Sequence, residues 1–287
     1  PRAIMDENPS SASPSALAAT WDEGYVDYLK GAGFGDVMVL PLGLDETIFD
    51  HPPVDEMVHP PTFVGNSMIY QAAEEWKRVD EYPGLKAAAV GALESGRVNR
   101  DSFVQGIESI LGPIVWEWEQ KARYHAERIF FIDGTRQLRQ SLVKTLTPSG
   151  LVVRGDSHWE TIMPAWGPSI PYYEELPRYY RECPVNLNTT SVQMSTTVNQ
   201  RVFDCPAAGG FLLTDAQRVI PNLFDVDREM ITYDSMDDAR EKMNWFLARP
   251  KARKEITIAA RKRILGEHTY RHRLVAIVTQ LQTRFQG

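Results

Sequence analysis

The sequence predicts an α/β protein built on a mainly parallel sheet, and three observations carry the prediction. From Ile129 onward, short apolar runs alternate with helical stretches, the pattern of a sheet covered by helices on both faces. The 287 residues are 43% hydrophobic and 24% charged, ordinary values for a globular chain able to bury a large core. No run approaches the roughly 18 apolar residues of a membrane span, and no basic start leads into an apolar signal core.

Taken in order, residues 1 to 54 form a partial N-terminal α/β segment. It holds a strand at Ala3–Met5, a polar loop at Asn8–Ser15, a helix near Glu23–Gly31 and a strand at Val37–Leu40. The stretch His51–Pro61 follows, and its four prolines block both helix and central strand. A domain boundary is expected there. The apolar run Thr62–Val64 then ends in Gly65-Asn66, after which residues 68 to 126 carry helical patterning with breaks near Pro83, Gly96 and Pro113. Phe103, Ile107, Ile110, Leu111, Ile114 and Trp118 share one helical face, the mark of a core, with an interaction surface as the alternative. So much helix between two strands predicts an insertion, residues 68 to 126, that packs beside the main domain without supplying a phosphate site.

The remaining strands are expected at Ile129–Ile132, Leu151–Val153, Val185–Leu187, Phe211–Leu213 and Met230–Tyr233. Closing helices follow: Ala239, Met243, Phe246 and Leu247 share a face, as do Leu274, Ile277, Val278, Leu281 and Phe285. Residues 61 to 268 should form one domain, and the helix 269 to 287 should cross back toward residues 1 to 54. The basic runs Arg249–Lys254 and Arg261–Arg263 interleave with apolar residues and read as a solvated helix face. No internal repeat or low-complexity tract is present.

Charge and cysteine usage exclude several functions. The net charge is −7 with dispersed basic residues, so there is no footprint for nucleic acid or an anionic membrane. The only cysteines, Cys183 and Cys205, have neither metal-ligand nor disulfide spacing, and both read as reduced core thiols of a cytoplasmic protein. His51, His59 and His125 lack partners at metal spacing. No nucleophile elbow, Walker loop, zinc pattern or dinucleotide fingerprint occurs. No metal or cofactor is expected.

Ligands of open parallel sheets bind outside the carboxyl ends of the strands, which selects three places. At Gly65-Asn66 a missing Cβ would admit a ligand close to the backbone, unless Gly65 serves only a tight turn. After Val185–Leu187, the hydroxyls of Ser191, Ser195, Thr196 and Thr197 precede a helix beginning near Val198 that carries Arg201. With the free amides of its first turn, this cluster suits a diphosphate, the alternative being simple capping. Third, Arg154-Gly155-Asp156-Ser157-His158-Trp159 offers an aromatic ring and polar edges for a nucleobase, or else a core Trp–His pair.

The stretch Val185 to Asp215 resembles the donor-site core of the spore-maturation CgeB-like group within the GT-B glycosyltransferases. The family's pattern puts Asn, Arg and an acidic residue on one helix, followed by a small residue, Gly and an apolar strand ending in Thr-Asp; the matching residues here are Asn199, Arg201, Asp204, Gly209, Gly210, Thr214 and Asp215. Downstream, Met230 to Asp234, Leu247 to Pro250 and Gly266 to Tyr270 with Arg273 keep the family's order, and upstream so do Val39 to Gly43 and Phe63 to Asn66. The resemblance implies a Rossmann-like, nucleotide-sugar-binding domain with donor contacts from Gly65, Asn66, Arg154, Ser195, Thr196, Thr197, Asn199, Arg201, Asp204, Gly209 and Gly210. It further implies a hexosyltransferase-like, metal-independent transfer of sugar from a nucleoside diphosphate to a hydroxyl of a glycan, lipid or protein. The acceptor side would precede this domain, and no catalytic base is assigned. The competing expectation is a non-catalytic nucleotide-binding or protein-interaction module.

Overall fold

The computed structural model describes residues 12–94, 100–112, 120–194 and 196–285. The strand expected at Ala3–Met5, the positions Gly96, Pro113, Ile114 and Trp118, and the candidate Ser195 lie outside them. Among the described residues there are two parallel sheets. The smaller pairs β1 (Leu17–Thr20) with β2 (Asp36–Val39), joined through α1 (Val26–Gly31). β1 is absent from the sequence reading, which has a polar loop ending at Ser15 and no strand between it and the helix near Glu23. A short helix α2 (Glu46–Phe49), capped by the Asp45 carboxylate, leads into the Pro-rich stretch.

The larger sheet has six parallel strands in the order β5-β4-β3-β6-β7-β8: β3 (Thr62–Val64), β4 (Val152–Gly155), β5 (Trp166–Pro168), β6 (Asn186–Leu187), β7 (Leu212–Asp215) and β8 (Ile231–Tyr233). The chain builds outward from β3 through β4 to β5, then returns to the other side of β3 with β6. The order therefore reverses between β3 and β6. β5 escapes sequence detection because it is three residues long and ends in proline, a residue tolerated at a sheet edge.

Between β3 and β4 run α3 (Ile69–Val79), α4 (Leu85–Glu94), α5 (Arg100–Leu111) and the 27-residue α6 (Gln120–Leu146). The predicted strand Ile129–Ile132 is thus wrong. Those residues lie inside α6, where Ile129 and Phe130 bury against Phe103, Ile107, Leu85 and Val79 of the neighbouring helices. An uninterrupted apolar run fits a helix wedged among helices as well as a strand, and Glu, Arg and Gln on either side favour the helix. Later in the same helix Leu142, Val143 and Leu146 enter a different cluster, the one beneath the sheet.

Leu212 and Leu213 show how the sheet divides its core. Successive strand residues point to opposite faces; Leu213 joins Phe63, Val153 and Ile231 with α6 and α10 (Met236–Leu247), while Leu212 joins the cluster of α7 (Leu176–Glu182), α8 (Arg201–Ala207) and α11 (Pro250–Glu267). Each such side chain, fully buried, contributes roughly 1.5–3 kcal/mol, so these two layers hold the sheet. Helix α9 (Ile220–Leu223) closes the second layer.

The last helix, α12 (Tyr270–Phe285), lies along the small sheet: Gln280 donates to Asp36 and Arg284 to the carbonyls of Pro14 and Ala16. At its start, Leu44 and Thr269 form a parallel bridge, and Arg273 donates to the carbonyls of Pro41 and Leu42. The basic face of α11 is less solvated than its sequence suggests. Arg253 is buried and donates to the carbonyls of Phe246 and Leu247 at the end of α10, while Lys254 and Arg261 pair with Asp55 and Asp50. Among the described residues no helix is long and apolar enough to cross a membrane.

Candidate functional site

The crevice outside β3 and β6 is where a reversal of strand order leaves room for a ligand. β3 ends in Gly65-Asn66-Ser67 and β6 runs into Asn188-Thr189-Thr190. Arg201, the first residue of α8, reaches across this opening. Its Nη2 donates to the carbonyl of Val64 at the end of β3, and its Nη1 donates to Asn188 Oδ1 at 2.8 Å beyond β6. Nε donates to the Tyr180 hydroxyl at 3.3 Å, and the guanidinium lies over the Phe63 ring. Among the described residues no carboxylate pairs with Arg201. In particular, Asp204 three residues on does not.

Both oxygens of Asp204 are taken elsewhere: Gln200 Nε2 donates to Oδ1 at 2.9 Å and the Tyr172 hydroxyl donates to Oδ2. Asp204 is 1% exposed, and burial pushes its carboxyl up to about 6 against the opposing pull of those two donors. Gln200 also donates to the Gly43 carbonyl and accepts from the Tyr270 hydroxyl. Asp204 is thereby tied to the junction between the two sheets.

Of the other predicted residues, Gly65 and Asn199 join Arg201. A Cβ on Gly65 would stand 3.7 Å from Arg201 Nη2 but only 3.1 Å from the Phe63 ring. Asn199 donates to Asn188 Oδ1, and its own Oδ1 is buried without a partner. The Asn66 side chain is exposed, and its carbonyl accepts from Arg139 Nη1 at 2.7 Å. Thr197 is buried, and Thr196 bonds Asp22 and the Gly24 amide, linking this loop to the turn after β1.

Three predicted residues are placed apart. Arg154 turns toward the opposite end of the strands, over the Tyr179 ring in a 340 Å³ pocket with His59, Pro60 and Trp166. Gly209 and Gly210 lie between α8 and the start of β7, at the amino edge of the sheet. Gly209 has φ +83° and lets the Pro52 backbone approach; a Cβ there would meet it at 2.7 Å. Gly210 makes room for the Tyr180 carbonyl at the same close distance. Their role is turning and packing, because a strand must enter the sheet where the linker crosses it. The Trp159 ring is also a core element: fully buried, its Nε1 donates to the Gly65 carbonyl.

Arg139 was not singled out by the sequence, since its partner stands 73 positions away and nothing local marks it. Its Nε is buried without a partner, and burial followed by the nearby Arg201 charge lowers its pKa to about 10. Within the same helix Arg136 is engaged by Asp133 and Gln140. Among the described residues, no group of three or more His, Cys, Asp or Glu side chains is placed to hold a metal ion.

A sequence profile of the family described as "Glycosyl transferase-like" matches residues 110–279, more than half of the chain. No curated protein matches it in sequence. Among solved structures it is similar to sucrose-phosphate synthase from Thermosynechococcus elongatus, at 10% identity and a TM-score of 0.55, covering 100% of this chain and 62% of the synthase. TarM is similar at 7% identity and a TM-score of 0.53, over 97% of this chain and 45% of TarM. A mutant of S. aureus TarM solved with fondaparinux, alpha-GlcNAc-glycerol and UDP gives 8% identity and a TM-score of 0.50 over the same shares. At these identities the likeness is one of fold, and the chain spans less than two thirds of each of these proteins.

Proposed function

The chain belongs to the glycosyl transferase-like family, and from that premise we propose that it binds the nucleoside-diphosphate sugar donor of a glycosyl transfer at the crevice between β3 and β6. One observation carries the reading. Arg201 spans the strand-order reversal with a guanidinium that has no carboxylate partner among the described residues, in a position where the sheet converges its loops. A partly buried guanidinium with no carboxylate in contact is a ready partner for a diphosphate.

In the reaction, an acceptor hydroxyl oxygen bonds to the anomeric carbon while the bond from that carbon to the diphosphate breaks. The electron pair leaves with the diphosphate, and Arg201 stabilises its charge in the role a metal ion plays elsewhere. The hydroxyl proton passes to a base that we do not assign. We place Asp204 near the donor's ribose or sugar, where a hydroxyl of the ligand would take over one of the bonds now made by Tyr172 or Gln200. The closer kinship with the CgeB-like group, the hexosyl class of donor and a glycan, lipid or protein acceptor served by residues 1 to 54 belong to the same proposal. Two free, buried thiols accord with a reducing, cytoplasmic setting.

Calorimetry with UDP, GDP, ADP and the matching nucleosides tests the reading. At least one diphosphate should bind, and Arg201→Met should weaken it about ten- to a hundredfold, the loss of a charge-assisted bond, with the nucleoside little affected. Unchanged diphosphate affinity beside a lowered melting temperature would reduce Arg201 to a structural tie. Failure of every diphosphate to bind the wild type would favour a non-catalytic module.

A further inference from the structure

We infer that Arg139, carried by α6, is a second phosphate-binding residue that contacts the donor's diphosphate beside Arg201. The inference rests on the nucleoside-diphosphate reading and adds to it a residue and an element.

The two arginines bind carbonyls two positions apart in one loop: Arg201 takes Val64 and Arg139 takes Asn66, with Gly65 between them. Both guanidiniums thus sit against the loop that ends β3, around a glycine with no side chain to cover its backbone. Arg139 keeps donor capacity in reserve, since its Nε is buried with no partner. A buried donor without an acceptor is unfavourable, and an oxyanion entering the crevice would supply that acceptor and relieve the repulsion between the two cations. The rest of α6 holds the arginine still. Its upstream half packs through Ala126, Ile129 and Phe130 into the helical cluster, and its downstream half through Leu142 and Val143 into the sheet. One turn earlier, Thr135 accepts from the Val192 amide and bonds Ser191. The helix therefore braces both loops that border the crevice. Arg128 and Arg136 of the same helix are paired with Glu75 and Asp133, whereas Arg139 forms no ion pair among the described residues.

Arg139→Met keeps the apolar stem and removes the charge, and Arg139→Lys restores a charge without the fork. Titration of both with UDP, GDP and ADP and the matching nucleosides, beside thermal melts without ligand, is the test. Arg139→Met should bind the preferred diphosphate at least tenfold more weakly, bind its nucleoside within twofold of wild type, and melt no lower than wild type. Arg139→Lys should recover part of the affinity. Diphosphate affinity within threefold of wild type in Arg139→Met overturns the proposal, and if Arg201→Met has meanwhile lost affinity the donor-site reading stands without it. An equal loss for diphosphate and nucleoside with a lowered melting temperature also overturns it, because that is a folding defect. If no diphosphate binds the wild type, the donor-site reading fails and this proposal with it.

Discussion

Asp204 holds a proton more tightly when folded than when unfolded, because burial costs the carboxylate more than Tyr172 and Gln200 return. Below the ordinary value of 3.8 both states are protonated; between 3.8 and about 6 the folded state binds the extra proton, so this group's contribution falls as pH rises. A shift of that size is about 3 kcal/mol. His268 works the other way: burial lowers its pKa, so its contribution is present above 6.5 and lost as pH falls. Urea titrations at pH 4 to 7 should therefore be compared between wild type and Asp204→Asn; the variant should lose the downward component, and parallel curves would show that Asp204 titrates normally. Gly155 makes a steric prediction. A Cβ there would stand 2.2 Å from the Gly65 carbonyl oxygen, a backbone atom that cannot turn aside. Gly155→Ala should cost about 3 kcal/mol, read from denaturant midpoints, and a loss under 1 kcal/mol would mean that the two loops are free to part. The position of Arg201 between the ends of β3 and β6 was legible from its place after a hydroxyl-rich loop. Arg154, at a strand's carboxyl end on paper, was not, because the direction of a long side chain is set by packing against Tyr179.

Helix α6 shows where patterning stops being informative. Its apolar residues serve two cores on different sides, so no single face emerges, and Ile129–Ile132 read as a strand. The other strands of the large sheet were legible where they are apolar and bounded by turns, and β3 emerged with its exact bounds. Gly134 sits in the middle of α6 with the Val192 Cγ2 atom 3.4 Å from where a Cβ would be, an ordinary contact. Gly134→Ala should thus raise stability by about 0.5–1 kcal/mol through helix propensity. A drop in melting temperature would mean that Val192, and the loop it belongs to, cannot yield.

At the scale of the molecule, the small sheet and the large one meet at Leu44 and Thr269, and Arg273 fastens the meeting point. It donates to the carbonyls of Pro41, Leu42 and Glu267 and contacts His268. The exposed pairs Arg261–Asp50 and Lys254–Asp55 add little by comparison, since such pairs contribute roughly 0–1 kcal/mol. Arg273→Ala should cost about 2 kcal/mol and open the segment 39 to 45 to proteolysis before global unfolding; an unchanged cleavage pattern would assign the junction to apolar packing by Leu44 and Phe49. The sheet order carries a further consequence, in time. Thr62 pairs with Val152, ninety positions later, while the helices between them make their contacts locally. Closing so long a loop delays strand pairing relative to helix packing. Refolding followed by stopped-flow should show helical signal recovered first and Trp159 fluorescence, which reports the closing of β4 on β3, later; simultaneous recovery would mean that the intervening helices wait for the sheet.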